Sequence, residues 1–556
     1  MLEPARRMPS LAGVAGVAGV VRVAGVAGIV AALLAPAARA GAELIAAGPC
    51  FKVNAALEYS QRQAQVDCDP DGDLWAVAWH TPLGADIDMR LFSGDGVPVT
   101  PEKKVDSAFT FMNQSEPELC MDDFGNFMIA WSDYNGSDGS LMGIFGRPYD
   151  KNGNPKSLDF QVNEDAPDSQ WEPKGDALPG GGFVMVFSGT PDGDTFFRLF
   201  DALGHPTTGD IEVNTIMGNA QIDAGVAASR AGTMLFAYVD FSGTGGAGQN
   251  IFTRAFDLSG APLQPAEVLL NTTTVPGDQR EPRVAADGLG HFVVVYEDSA
   301  SDGSGYAIYA RRYDAAGAPL GPEFRVNQVT AGDQLRPDVA MDWVGNFVVS
   351  WEDHSTGRSV ATLRRFDSHG APLTGDVPVD LSIAGNQSFP SVAIDRAGED
   401  LTVTFAADGG PGIFSGGDDI WARRFRTEPI RALGTPTPGA TFFLALDLPS
   451  GAGLGYVLLM STGTAPGLPL PDSRTLHLLP DALLAFCLSF PNGAGLSGFA
   501  GFLDATGKAT PSLTLPGNGA LIGLTLQFAA ISLDVTQPTL GLQLRHVTDP
   551  VAVTIQ

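Results

Sequence analysis

Acidic residues are the chemistry-bearing groups that cluster in this chain, so they set which reactions are open to it. Asp67-Cys68-Asp69-Pro70-Asp71-Gly72-Asp73 puts carboxylates at alternate positions around a glycine, as calcium loops do, yet Ala78 stands where such a loop has its closing acid. The quartet Asp67, Asp69, Asp71 and Asp73 is therefore a weak metal candidate, and the segment also has the composition of a tight hairpin turn. Asp133-Tyr134-Asn135-Gly136-Ser137-Asp138 is a second acidic segment, with its glycine displaced from the calcium pattern. Calcium is the one cofactor these acids could recruit; no other is called for. His80, His291, His354 and His369 have no zinc-binding spacing and adjoin no serine or cysteine nucleophile motif. A carboxylate pair of the glycosidase type stays open, because separation along a chain says nothing about separation in space.

A different mixture lies in the longer connecting segments. Trp171 and Tyr134 occur there with Asp133, Asp138, Asp192, Asp194, Asp302, Asp418 and Asp419, a set suited to stacking on a sugar or gripping a cation-bearing partner. Whether these side chains can meet depends on the elements that carry them.

Those elements repeat. Gln61, Gln114, Gln170, Gln221, Gln279, Gln334 and Gln387 each stand three residues before a proline or alanine, at intervals of 51 to 58 residues. Each is followed by an apolar stretch, an Asp/Gly turn and a β-rich run ending in Trp79, Trp131, Phe187, Tyr238, Tyr296, Trp351 or Phe405. An Arg-x-aromatic element follows, headed by Arg90, Arg147, Arg198, Arg254, Arg311, Arg364 and Arg423, and an apolar-x-Val-Asn strand usually closes the unit. Four short strands about fifty residues apart predict the blades of a seven-bladed β-propeller. The glutamines are expected to tie neighbouring blades, and the arginines to pair with acids across strands. The last repeat stops after its third strand, at Phe425, while a lone fourth-strand sequence, Phe51-Lys52-Val53-Asn54, precedes the first; the N-terminal strand is expected to close the ring.

The pattern Gln-x-x-Pro-x-Val-Ala-x-Asp-x-x-Gly-Asn-Phe-Val-Val-x-Trp-x-Asp, then Arg-Arg-Phe-Asp-x-x-Gly-x-Pro-Leu-Gly, resembles secreted bacterial propeller-repeat proteins. Its best copies here are Gln279 to Asn327 and Gln334 to Asp380. The resemblance covers residues 51 to 425, and its motifs are architectural, implying no reaction. The Ser-x-Asp-x-Gly-x-Thr-Trp boxes of sialidase-like propellers do not occur.

Domains follow from composition. Residues 1–40, with Arg6 and Arg7 before an apolar run that ends at Ala38-Arg39-Ala40, read as a signal peptide. Residues 41–430 form the propeller. Residues 431–556, poor in charge and rich in Leu, Gly, Pro and Thr, read as a small β-sandwich similar to C-terminal domains of planctomycete-type secreted proteins. Cys50, Cys68, Cys120 and Cys487 could pair in an exported chain. Removing the leader takes away four arginines and one glutamate, so the net charge of −30 becomes −33. Such a field repels nucleic acid and anionic membranes. The partner expected is an extracellular glycan or protein, with no nucleic acid and no membrane insertion, and the site of action is outside the cell or on its surface. The function class expected is a non-catalytic propeller binding that partner through its long-loop face. The alternatives are a glycoside hydrolase-like enzyme, marked by carboxylates clustered at the channel mouth, and a structural envelope component.

Overall fold

The computed structural model describes residues 44–556 apart from interruptions, of which 107–113, 135–141, 165–168, 190–192, 245–247, 300–301 and 409–416 bear on the site. The leader lies outside the described residues.

Each repeat folds as an antiparallel sheet whose strands follow chain order. In the second repeat these are Gln114–Met121, Phe127–Asp133, Gly143–Tyr149 and Phe160–Gln161, each paired with the next. Sheets of the same order begin at Arg62, Gln170, Gln221, Gln279 and Gln334. The second strands are the apolar centre: every residue of Phe127–Asp133, Phe183–Gly189 and Phe292–Asp298 is buried. Most of them are reached by hairpins in which an aspartate caps its own turn. Asp122 Oδ1 accepts from the amides of Phe124 and Asn126, both at 2.8 Å, and Gly125 supplies the positive φ of 76° that the turn needs.

The last sheet takes its outer strand from the other end of the chain. Phe51–Lys52 pairs with Asp418–Thr427, with Phe51 opposite Ala422, and Leu44–Ala46 adds to the same strand. Trp75, Val77 and Trp79 of the first repeat share one core with Ala393, Ala406 and Ile420 of the last. Repeated four-stranded sheets closed on themselves in this way are a β-propeller.

The recurring polar residues knit the sheets. An asparagine at the end of several outer strands accepts from a third-strand amide and donates to the next repeat's glutamine: Ile144 N to Asn163 Oδ1 at 2.9 Å, then Asn163 Nδ2 to Gln170 Oε1 at 3.0 Å. Asn54 repeats this at the closure, accepting from Ile420 N and donating to Gln61. Several of the arginines pair with acids as expected, Arg147 with Asp159 at 3.3 Å and Arg423 with Asp380 at 3.5 Å, and the series has a second role. They reach back to the preceding sheet, where Arg147 Nη1 donates to Val105 O at 2.8 Å and Arg254 Nη1 to Val213 O at 2.6 Å. An outer-strand carbonyl facing the next sheet needs a donor, and a guanidinium spans the gap while stacking on its own sheet's aromatic, as Arg254 does over Phe256.

Beyond the repeats, two further five-stranded sheets enclose a core that includes Phe442, Leu444, Leu458, Phe499 and Phe528. Thr441–Asp447, Gly455–Ser461, Thr525–Asp534 and Gln543–Val547 are strands of these sheets. One element departs from an all-strand reading: Ala482–Ser489 is a helix. Asp481 caps it, its Oδ1 accepting from Leu483 N and Leu484 N, and Leu and Ala favour helix once such a cap exists. All four cysteines are unpaired thiols, so the disulfide expectation is not met.

Candidate active site

Every innermost strand carries a β-bulge two residues after its glutamine, seen as a register shift between Ser115 and Glu118, Trp171 and Lys174, and their equivalents. The bulged residues are Gln63, Glu116, Glu172, Asp223, Glu281, Arg336 and Phe389, all with φ between 51° and 55°. This left-handed conformation costs an ordinary residue roughly 1 kcal/mol. The compensation is a bond to the preceding repeat. The turned amide of Glu172 donates to Ser132 Oγ at 3.1 Å and Glu116 Oε2 at 3.3 Å, that of Glu281 to Asp223 Oδ2 at 2.8 Å, and that of Phe389 to Glu352 Oε1 at 2.8 Å.

The backbone device is the same in all repeats, but the residue types are not. The glutamines and arginines that hold the sheets recur unchanged, as structural parts do. The bulge positions run instead through one amide, four acids, an arginine and a phenylalanine. Their side chains line a cavity of about 140 Å³ at the start of the innermost strands, with Lys174, Arg283 and Asp338 beneath.

Within this ring Arg283 bridges Glu281 at 3.1 Å and Asp223 at 3.5 Å. Glu116 accepts from Ser132 Oγ at 2.8 Å and the Tyr134 hydroxyl at 3.3 Å. Burial, and then the charges of Glu116 and Glu281, push Glu172 up to about 7. Burial and then Glu281 push Asp223 up to about 8 against the pull of Arg283. The arrangement thus offers carboxyls that hold a proton near neutrality beside a carboxylate dressed with donors, which is the equipment of acid–base catalysis.

Deeper in, a lumen of about 210 Å³ is bordered by Asp67, Glu118, Asp176, Asp338 and others. Innermost strands are sheet edges, and these acids cap the edge amides of the next sheet: Met121 N donates to Asp67, Ala228 N to Asp176 and Val392 N to Asp338, each at 2.8 Å. At the far end, turns from four repeats meet. Trp343 lies between Arg230 and Arg396, whose guanidinium carbons stand 5.0 and 4.7 Å from its ring, and both arginines pair with Asp123. Gly288, from a further repeat, leaves room for the indole, because a Cβ there would lie 2.3 Å from it. Gly288→Ala is expected to destabilise the fold by about 1–3 kcal/mol in denaturant unfolding. The loss should be largely absent when the change is made in a Trp343→Ala background.

The residues expected from sequence separate into several groups. Tyr134 reaches the ring through Glu116, and half-buried Trp171 directly precedes Glu172 on Gln170–Ala177. Asp133 ends its strand buried opposite Gln114. Asp194 accepts from Asn214 at 2.9 Å, and Asp302 caps a local turn through Ser304 N. Asp418 holds Arg62 at 3.0 Å, and Asp419 holds Lys52 at 2.6 Å and Asn54 at 3.0 Å, so both secure the ring closure. Asp138 and Asp192 lie outside the described residues. Of the calcium quartet, Asp67 caps the next sheet and Asp69 accepts from Leu74 N in its turn. Among the described residues no group of three or more His, Cys, Asp or Glu stands close enough to hold a metal ion. The ring itself was missed. Its signal was present, as a run of acids, Glu116, Glu172, Asp223 and Glu281, at one fixed register two residues after the glutamine in four successive repeats.

No family model and no curated protein matches the sequence. Among solved structures, a protein of unknown function from Dyadobacter fermentans is similar at 10% identity and a TM-score of 0.41, over 58% of this chain and 97% of that one. An α-L-arabinanase of Penicillium chrysogenum, in complex with arabinobiose, is similar at 16% identity and a TM-score of 0.39, over 56% and 92%. An α-L-arabinofuranosidase of Fusarium graminearum, in complex with an iminosugar inhibitor, is similar at 14% and 0.38, over 56% and 92%. The expectation of a non-catalytic protein binding through its long loops is corrected here in favour of the enzyme alternative: several of the similar structures are named as arabinofuranosidases or an arabinanase, and the ring of acids carries the weight. The carboxylate cluster that distinguishes that alternative is present at the channel mouth, on residues the loop reading did not include.

Proposed function

We propose that the chain is an exported carbohydrate-active enzyme, a glycosidase working at the mouth of its channel. One observation carries the reading: bulges of identical, strained geometry bear unlike residues, four of them adjacent acids, of which two hold protons near neutral pH. Glu172, kept protonated by burial and by its acidic neighbours, donates to the glycosidic oxygen. Glu116, oriented by Ser132 and Tyr134, acts as the nucleophile or as the base for water. The same reading takes the repeat region, residues 41–430, as a seven-bladed propeller and residues 431–556 as a β-sandwich. Residues 1–40 act as the leader that places the enzyme outside the cell or on its surface. Its partner is an extracellular glycan; the charge of −30 disfavours nucleic acid and anionic membranes.

The test is hydrolysis of a glycan panel by the mature chain, with arabinobiose and longer arabino-oligosaccharides included because the similar Penicillium chrysogenum structure holds arabinobiose. Glu116→Gln is expected to lower kcat about 100-fold or more with an unchanged melting curve. No cleavage of any member, or full activity in the variant, rejects the reading.

A further inference from the structure

The acids account for four of the seven ring positions; Gln63, Arg336 and Phe389 hold the other three. Arg336 and Phe389 occupy the same bulge position in successive repeats, and both line the mouth cavity. The fold needs only the backbone of these residues, whose amides donate to Glu297 and Glu352 of the preceding repeats. Repeats that carry acids there meet that requirement equally well. Phe389 is half-buried and stands outside the apolar cores that pack the last sheet against its neighbours. Arg336 lies over its ring, the guanidinium carbon 4.3 Å from the centroid, and is fixed by Glu352 at 2.9 and 3.1 Å. A half-exposed aromatic covered on one face by a clamped guanidinium presents its remaining apolar surface beside fixed donors. That combination holds a sugar ring by its C–H face while hydrogen-bonding its hydroxyls.

We propose that Phe389 and Arg336 form the subsite that binds the non-reacting part of the substrate, and that the ring bound there is a neutral sugar. This inference rests on the glycosidase reading. Charge sets the class of sugar. Glu352 neutralises Arg336, and Glu116 and Glu281 face the same 140 Å³ space, so a uronate would bring a further carboxylate towards them.

The experiment titrates neutral oligosaccharides and oligouronides into the full chain by calorimetry, alongside steady-state kinetics, for wild type, Phe389→Ala, Phe389→Tyr and Arg336→Met. Phe389→Ala is expected to raise Kd and KM for neutral sugars about tenfold or more while kcat stays within about threefold; Phe389→Tyr should restore binding. Oligouronides should bind at least about tenfold more weakly than neutral sugars. Wild-type affinity in both Phe389→Ala and Arg336→Met, with unchanged melting curves, overturns the subsite, and oligouronides binding as tightly overturn the sugar class. If neutral sugars bind, lose affinity in Phe389→Ala and are never cleaved, the subsite stands and the glycosidase reading falls. If no glycan binds, both fall.

Discussion

Glu172→Gln should abolish glycan hydrolysis, with kcat down by about 100- to 10,000-fold, and should leave the protein folded. The glutamine keeps the bulge amide and its bonds to Ser132 and Glu116, which belong to the backbone. What it removes is the transferable proton. In the wild type, activity should fall as pH rises through about 7, where Glu172 ionises. Stability should change in the same direction. A carboxyl whose folded value is raised from 4.5 to about 7 favours the folded state fully below 4.5, and that contribution is lost as pH rises towards 7. Asp223 adds the same sign between 3.8 and about 8. The variant should therefore be inactive and show a shallower decline of stability from pH 4.5 to 7. Chemical unfolding across that range, run with the kinetics, checks both; a variant with wild-type rate, or a steeper decline, contradicts the assignment.

Deleting residues 44–54 should have the largest effect on folding. The segment fills the outer edge of the last sheet, and its Val53 is fully buried, worth about 1.5–3 kcal/mol. Asn54 serves Ile420, Gln61 and Asp419, and Val53 O accepts from Arg90 at 2.9 Å; each such bond, when its buried partner is stranded, costs about 1–3 kcal/mol. Together these losses rival the whole stability of a typical domain. The truncated chain should aggregate through its open edge, visible in size-exclusion chromatography, whereas Asn54→Ala alone should cost about 1–3 kcal/mol and stay monomeric. A monomeric truncation with the wild-type melting temperature would show that the strand is dispensable.

The sequence made the architecture legible because architecture repeats. Gln170 and its counterparts and Arg147 and its counterparts are set by local requirements that every sheet shares, so each appears once per repeat in fixed register, and Asp-x-x-Gly turns recur at most of the hairpins between them. The closure was legible for the same reason, as one repeat lacked a strand that the N-terminus supplied. The mouth was not legible by that method. Searching for recurrence passes over Glu116, Glu172, Asp223, Glu281, Arg336 and Phe389, because they differ while their backbones agree. Acids were instead sought in the variable connections, where Asp418 and Asp419 serve as anchors for Arg62 and Lys52. The helix at Ala482–Ser489 escaped because its apolar residues lack a one-sided pattern, so only the Asp481 cap marks it.

The indole clamped at the far end of the lumen ties together parts of the chain that lie far apart in sequence. Arg230, Arg396 and Asp123 draw three turns around Trp343, so side chains of four repeats are joined there by stacking and ion pairs. The second, fourth and sixth repeats share no sheet edge with one another, yet they meet at this knot. The ring is therefore fastened twice, by the exchanged strand at its seam and by a cross-tie near its axis, and damage to one fastening leaves the other in place.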